Sequence, residues 1–395
     1  MSKIIKVNIS GCHQQGLTQA IFSALAAWEI TLIDIYQTAD RESLDITLLL
    51  QLPDDNPDSP QLDSLLVLCT EQQLECSYHP VIFDRLPPSP RQAYNHSSKV
   101  LLLANTLTVE HLGRVVGAIF DSGLDLREIK CISESLDSEG KASCSAVCLT
   151  MVANNQWPEN PLRDSLSVIS TELQIDIVYL KGEEAESDYK LAVFDMDSTL
   201  IKAEVIDLLA DAAGVGKQVA KITERAMQGE LDFDSSFRER LAMLKGLDES
   251  VLNDIAERLP LMEGAETLMA GLKQRGYKTA IVSGGFNFFA NCLKKQLGID
   301  YVHANALEII NGKVSGQVAG PIINGQRKAE LLHEIAASEG FSVTQVIAVG
   351  DGANDIPMLN SAGMGIAFHA KPLVRQQTQH AISLLGLDSI LYLLD

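Results

Sequence analysis

Three short runs, "KLAVF" at 190–194, "KTAIV" at 278–282 and "QVIAV" at 345–349, are apolar almost from end to end. They are too short for buried helices and show none of the polar alternation of a strand with one wet face. Strands of this kind must be covered on both sides, which predicts a parallel sheet with helices packed on each face. Between them lie helical patterns, so Tyr189–Asp395 reads as an α/β unit.

In an open parallel sheet, ligands bind outside the carboxyl ends of the strands. The first run is followed there by Asp195 and Asp197 in "AVFDMDSTL", and the third by Asp351 and Asp355 in "VIAVGDGANDIPM". Four carboxylates converging on one edge repel one another unless a cation neutralises them. Hard oxygen donors with few protein contacts suit Mg²⁺. If the metal also holds a phosphate, Asp195 is placed to attack phosphorus, with Asp197 giving a proton to the leaving oxygen and later taking one from water. A helical insert separates the first two strands. It is predicted to begin with the stripe Val205, Leu208, Leu209 and Ala212, ended by Gly214, and to run to about Leu259, with Pro260 interrupting it. Farther on, Asn311-Gly312 predicts a type I′ hairpin.

The 395 residues exceed one ordinary core, and two breaks divide them: the proline-rich 83–98 and the charged 181–188. The two pieces before the second break share one βαββαβ plan. "WEITLIDI" at 28–35 and "SGLDLREI" at 122–129 align at an offset of 94. The predicted modules are 1–86 and 97–182, followed by a unit at 188–395 whose insert spans about 204–262. A net charge of −21 argues against nucleic-acid and anionic-membrane partners. No apolar run approaches the roughly 18 residues that a membrane helix needs. The opening "MSKIIKVNIS" reads as a strand rather than a signal peptide, and the seven cysteines contain no C-x-x-C pair, so a cytoplasmic protein with reduced thiols is expected.

Four ordered stretches resemble the haloacid-dehalogenase (HAD) superfamily: "DMDST", "AIVSGG", "GQRKAELL" and "GDGAND". The resemblance implies a Rossmann-like sheet with a small helical cap, Asp195 and Asp197 as catalytic residues, and Ser283, Gly284 and Lys328 around the phosphoryl group. It also implies Mg²⁺ held by Asp195, the Asp197 backbone carbonyl and Asp351, with Asp355 orienting ligands or water and Asn354 near the substrate or metal. The insert, including "AMQGELDF" and "SFRERLAMLKGL", is similar to the cap of phosphoserine phosphatases. On matching positions Glu204 would meet the substrate ammonium, Arg240 its carboxylate, and Met227 and Phe233 its carbon skeleton. The implied reaction is hydrolysis of O-phospho-L-serine to serine and phosphate, the last step of serine biosynthesis. Alternatives are a HAD phosphatase for another small ester, or an amino-acid sensor with an inactive phosphatase half. The N-terminal copies resemble α+β ferredoxin-like ACT modules. Gly11 and Gly16 match the positions that admit an amino-acid effector, whereas the second copy has Asn105 and Glu110 there. Such modules pair their sheet edges between chains, so a homodimer is expected.

Overall fold

A computed structural model describes residues 4–26, 30–40, 42–52, 60–81, 97–133, 144–152, 161–182, 188–228 and 230–394. The chain forms two compact units, Met1–Glu186 and Ser187–Asp395. Most of the proline-rich break lies outside the described residues, but its last two residues, Ser97 and Ser98, already belong to a strand. Residues 183–187 of the charged break are outside them as well.

In the first unit β1 (Ile4–Cys12), α1 (Leu17–Ala26), β2 (Thr31–Ala39), β3 (Ser43–Gln51), α2 (Pro60–Glu71) and β4 (Glu75–Pro80) form one βαββαβ module. The second contains β5 (Ser97–Leu103), α3 (Val109–Asp121), β6 (Asp125–Cys131), β7 (Ala146–Val152), α4 (Pro161–Leu173) and β8 (Asp176–Leu180). Their strands join in one eight-stranded sheet, ordered β4-β1-β3-β2-β6-β7-β5-β8. The pairing of module edges expected between chains is thus made within one chain. It runs through β2 and β6, where Tyr36 pairs with Lys130, residues separated by the repeat offset of 94. A lone module would leave both strands as open edges with unmet backbone groups, and pairing them satisfies both at once. One hydrophobic core serves both modules, with Phe22 and Leu25 of α1 alongside Leu112 and Val116 of α3.

The second unit is a seven-stranded sheet in the order β12-β11-β10-β9-β13-β14-β15. Its strands are β9 (Leu191–Phe194), β10 (Lys278–Phe286), β11 (Tyr301–Ile310), β12 (Lys313–Ala319), β13 (Val346–Gly350), β14 (Met364–Phe368) and β15 (His380–Ile382). All pair in parallel except β11 with β12, a hairpin whose turn places Asn311 and Gly312 at positive φ, as a type I′ turn requires. The three apolar runs supply β9, the first half of β10, and β13. Central β9 is buried along its whole length between β10 and β13.

The insert after β9 holds α5 (Val205–Ala212), α6 (Gly216–Met227), α7 (Phe233–Met243) and α8 (Ser250–Ala256). Helix α5 buries Val205, Ile206, Leu209 and Ala210, so the stripe expected through Leu208 and Ala212 is rotated: Ala212 is exposed. Ile206 and Ala210 offer an equally apolar face at helical spacing, and tertiary packing chooses between the two. The sheet is covered by α9 (Ala265–Gln274), α10 (Asn287–Leu297), α11 (Gly325–Ser338), α12 (Ile356–Ser361) and α13 (Pro372–Gln377). Against the sheet, Leu331, Leu332 and Ile335 of α11 join Val193, Val282 and Ala348 in one core.

Candidate active site

The carboxyl ends of β9, β10 and β13 bring the predicted groups together. Asp195 follows β9 directly, and its N–H donates to the Val349 carbonyl of β13 at 2.9 Å, which fixes the two strand ends side by side. Oxygens of Asp195, Asp351 and Asp355 all lie within 4.8 Å of one another. The fully buried Lys328 of α11 reaches into this cluster, with Nζ 2.9 Å from Asp195 Oδ1 and 2.6 Å from Asp355 Oδ1. The contact with Asp195 is an ion pair between two buried groups.

The electrostatics follow from placing so many acids in little water. Burial, reinforced by the charges of Asp195 and Asp355, pushes Asp351 up to about 8 against the opposing hydroxyl of Thr199. Burial and Asp195 push Asp355 up to about 6, with Lys328 opposing. For Lys328, burial works against the ammonium, but Asp195 and Asp355 overcome it and hold the group protonated. Of these three hard oxygen donors, Asp195 and Asp355 touch Lys328, and Asp351 meets the Thr199 hydroxyl. That donor set fits a divalent cation with an oxygen preference.

Asp197 lies beside this cluster. Its Oδ1 accepts from the Val205 N–H at the start of α5, at 2.9 Å. Burial, then the charges of Glu204 and Asp195, raise its carboxyl well above the usual range. Gly285 lies directly against this carboxylate, where any Cβ would collide with Asp197 Oδ2. Ser283 is fully buried at the β10 end, and its Oγ accepts from the Gly285 N–H at 2.9 Å. At Gly284 a Cβ would stand 3.0 Å from the Phe233 ring. Asn354 sits half-buried in the 3₁₀ turn Ala353–Asp355, its Oδ1 against Gly352. The Gly352 N–H donates to Asp355 Oδ2 at 2.9 Å.

Above these groups the insert contributes Glu204, Phe233 and Arg240. Phe233 opens α7 and stacks on Phe237 with ring centroids 6.2 Å apart. Arg240 is half-buried, and burial lowers its pKa while Glu204, Asp207 and Asp197 oppose that. Glu204 keeps a side open to solvent, yet the protein packed around its carboxyl raises its pKa, with the Ser198 hydroxyl opposing and Asp195 and Asp207 adding to the rise. Arg238, two residues earlier on the same helix, is exposed. Met227 ends α6, and its side chain lies outside the described residues.

Four polar residues escaped the sequence reading. Ser198, held at φ 56°, donates to Glu204 Oε1 at 2.9 Å. Thr199 donates to Asp351 Oδ1 at 3.0 Å, across 152 positions of sequence. Asn324 caps α11 and donates to Asp234 Oδ1 of α7 at 3.1 Å, tying cap to sheet layer. Asn305 is described below. The first two stand inside the "DMDST" motif and were legible as hydroxyls; the asparagines carried no local signal.

The haloacid dehalogenase-like hydrolase family matches residues 189–363, and the ACT domain family matches residues 3–79. A phosphoserine phosphatase from Streptomyces coelicolor is 35% identical over 388 residues, which is 98% of this chain and 91% of that protein. This chain belongs to the phosphoserine phosphatase family. Within the wider HAD group, a solved structure of a HAD family hydrolase from Salmonella enterica aligns with TM-score 0.66 at 30% identity, covering 75% of this chain and 99% of that one. A structure described as the phospho-aspartyl intermediate analogue of a phosphoserine phosphatase covers 52% of this chain and 99% of its own, at 43% identity and TM-score 0.50. The HAD match falls in the second unit, and the ACT match falls on the first module of the first unit.

Proposed function

We propose that this protein hydrolyses O-phospho-L-serine to L-serine and inorganic phosphate through a phosphoaspartate on Asp195, the last step of serine biosynthesis. The observation that carries the reading is the meeting of Asp195, buried Lys328 and Asp197, whose carboxyl is raised well above the ordinary range, beneath a cap bearing Glu204 and Arg240.

Asp195 attacks phosphorus in line, and the bond from phosphorus to the serine oxygen breaks. Asp197, uncharged at the start, gives its proton to that departing oxygen. Now a carboxylate, it takes a proton from water as the water attacks the phosphoaspartate, which returns Asp195 and releases phosphate. Lys328, Ser283 and Gly284 hold the phosphoryl oxygens throughout. Glu204 and Arg240 read the ammonium and the planar carboxylate, and Phe233 and Met227 flank the short carbon skeleton. Mg²⁺ fits the acidic cluster: Asp195, Asp351 and the Asp197 backbone carbonyl would hold it, Asp355 and Asn354 would orient their surroundings, and it would screen the repulsion between carboxylate and phosphate.

At the N-terminal modules an L-amino-acid effector, serine by product logic, is the ligand we propose. A small cavity there is lined by His13, Gly16, Thr18 and Gln19 of the first module and Phe120 and Asp125 of the second. Among the lining groups, buried His13 Nδ1 lacks a hydrogen-bond partner among the described residues, as expected of a group that meets a polar ligand. A homodimer and a cytoplasmic setting complete the proposal. The outer edges β4 and β8 of the eight-stranded sheet support the former. Seven free cysteines support the latter, and no described helix is long and apolar enough to cross a membrane.

The test is phosphate release from phosphoserine, phosphothreonine, phosphoethanolamine and glucose 6-phosphate, each with Mg²⁺ and with chelator. Preference for phosphoserine, lost with chelator, is expected. Turnover of the sugar phosphate alone would overturn the roles given to Glu204 and Arg240.

A further inference from the structure

Ser283 and Gly284 lie near the end of one strand, Lys328 stands on a helix some forty residues later, and a buried amide bridges the two segments. Asn305 of β11 is 1% exposed. Its Nδ2 donates to the Gly284 carbonyl at 2.8 Å, and its Oδ1 accepts from the Ile323 N–H at 2.8 Å. Ile323 immediately precedes Asn324, the N-cap of α11, and the Asn324 carbonyl accepts the Lys328 N–H at 2.9 Å, the first turn of that helix. The Ile323 carbonyl also stands 3.4 Å from where a Cβ on Gly284 would sit, so the two segments touch with no side chain between them.

The β10–β11 ladder is irregular at this point: its register shifts between Val282 and Phe286, and Phe286 resumes pairing with Asn305 itself. Over Ser283–Gly285 the ladder to β11 therefore does not hold this stretch of β10 in place, although it does at Phe286. The Asn305 side chain takes over that task, replacing a missing backbone contact with one directed bond and anchoring the start of α11 with the other.

We propose that Asn305 is a positioning residue for phosphoryl transfer, setting the separation between the Ser283–Gly284 turn and Lys328 so that both sides grip the same phosphoryl group. It does not touch the substrate. The proposal rests on the phosphatase reading above. A displacement of about 1 Å in such a cradle costs on the order of 10²-fold in rate. Loss of the amide leaves a buried carbonyl and a buried N–H to find other partners, which releases both segments at once.

The test uses the full chain with Asn305→Leu, which fills the space but offers no hydrogen bond, and Asn305→Ser, whose short hydroxyl leaves room for a bridging water and preserves the fold. Leu272→Ala in α9, fully buried and away from the cradle, is the control for lost stability. The readouts are kcat, KM, inhibition by inorganic phosphate, and Tm. The expected result is a kcat at least ten-fold lower and phosphate inhibition at least five-fold weaker in the Asn305 variants, assayed well below their Tm, while Leu272→Ala stays within two-fold of native. Should Asn305→Leu not fold, Asn305→Ser decides. Values within two-fold of native, or a loss no greater than that of Leu272→Ala at a matched drop in Tm, would overturn the proposal. Native turnover of phosphoserine in the same assay separates the readings: unaltered variants with an active native enzyme remove the role of Asn305 alone, whereas an inactive native enzyme removes the phosphatase reading and this one with it.

Discussion

Asp195 and Asp197 occupy positions one residue apart and do opposite things, because their surroundings differ. The first touches Lys328, while the second is pushed toward its neutral form by burial and by Glu204. Asp195→Asn is expected to keep the fold and to lower kcat by about 10⁴-fold or more, as removal of a nucleophile does; Tm and steady-state kinetics check both halves. Gly285→Ala is expected to fold with little activity, since the new methyl displaces the Asp197 carboxylate. The acidic cluster also sets a pH dependence. In the metal-free protein Asp351 titrates near 8 and Asp355 near 6, against an ordinary value of 3.8. Folded-state values above the unfolded ones mean a contribution to stability that is full below about 3.8 and is lost as pH rises through 6 and then 8. Mg²⁺ is therefore expected to raise Tm by more at pH 8 than at pH 5; equal shifts at the two pH values would contradict this. At this scale the sequence was informative wherever chemistry requires a carboxylate, hydroxyl or lysine after a buried strand. It was silent on Asn305 and on the Asn324–Asp234 bond, whose partners are 21, 18 and 90 positions away.

Among the elements, the sheet strands were readable because a strand buried on both faces leaves a run with no polar interruption. The cap helices were readable as helices, but α5 shows the limit: two overlapping apolar faces satisfy the same periodicity, and only packing selects Ile206 and Ala210 over Leu208 and Ala212. In the proposed reading the cap also sets selectivity. Arg240→Lys replaces a planar fork with a point charge and is expected to lower kcat/KM for phosphoserine by about 10- to 100-fold, with a smaller effect on phosphoethanolamine, which has no carboxylate to read. An equal loss on both substrates would show that Arg240 acts elsewhere.

For the molecule as a whole, the repeat was visible in the sequence, but the union of both modules into one sheet was not. Joining two edge strands through three backbone pairs leaves no mark on side-chain pattern, and the pairing of Tyr36 with Lys130 is a property of the assembled unit. The remaining edges predict self-association: light scattering at micromolar concentration is expected to give twice the 42.9 kDa of one chain, and a value equal to one chain would contradict the dimer. The account of the whole enzyme depends on a covalent step at one atom. The most direct measurement is rapid acid quenching during turnover of phosphoserine labelled with ³²P, followed by mapping of the label in the digested protein. Label on the peptide containing Asp195, chased into inorganic phosphate by unlabelled substrate, is the predicted result. Undiminished turnover with no label on that peptide would contradict it.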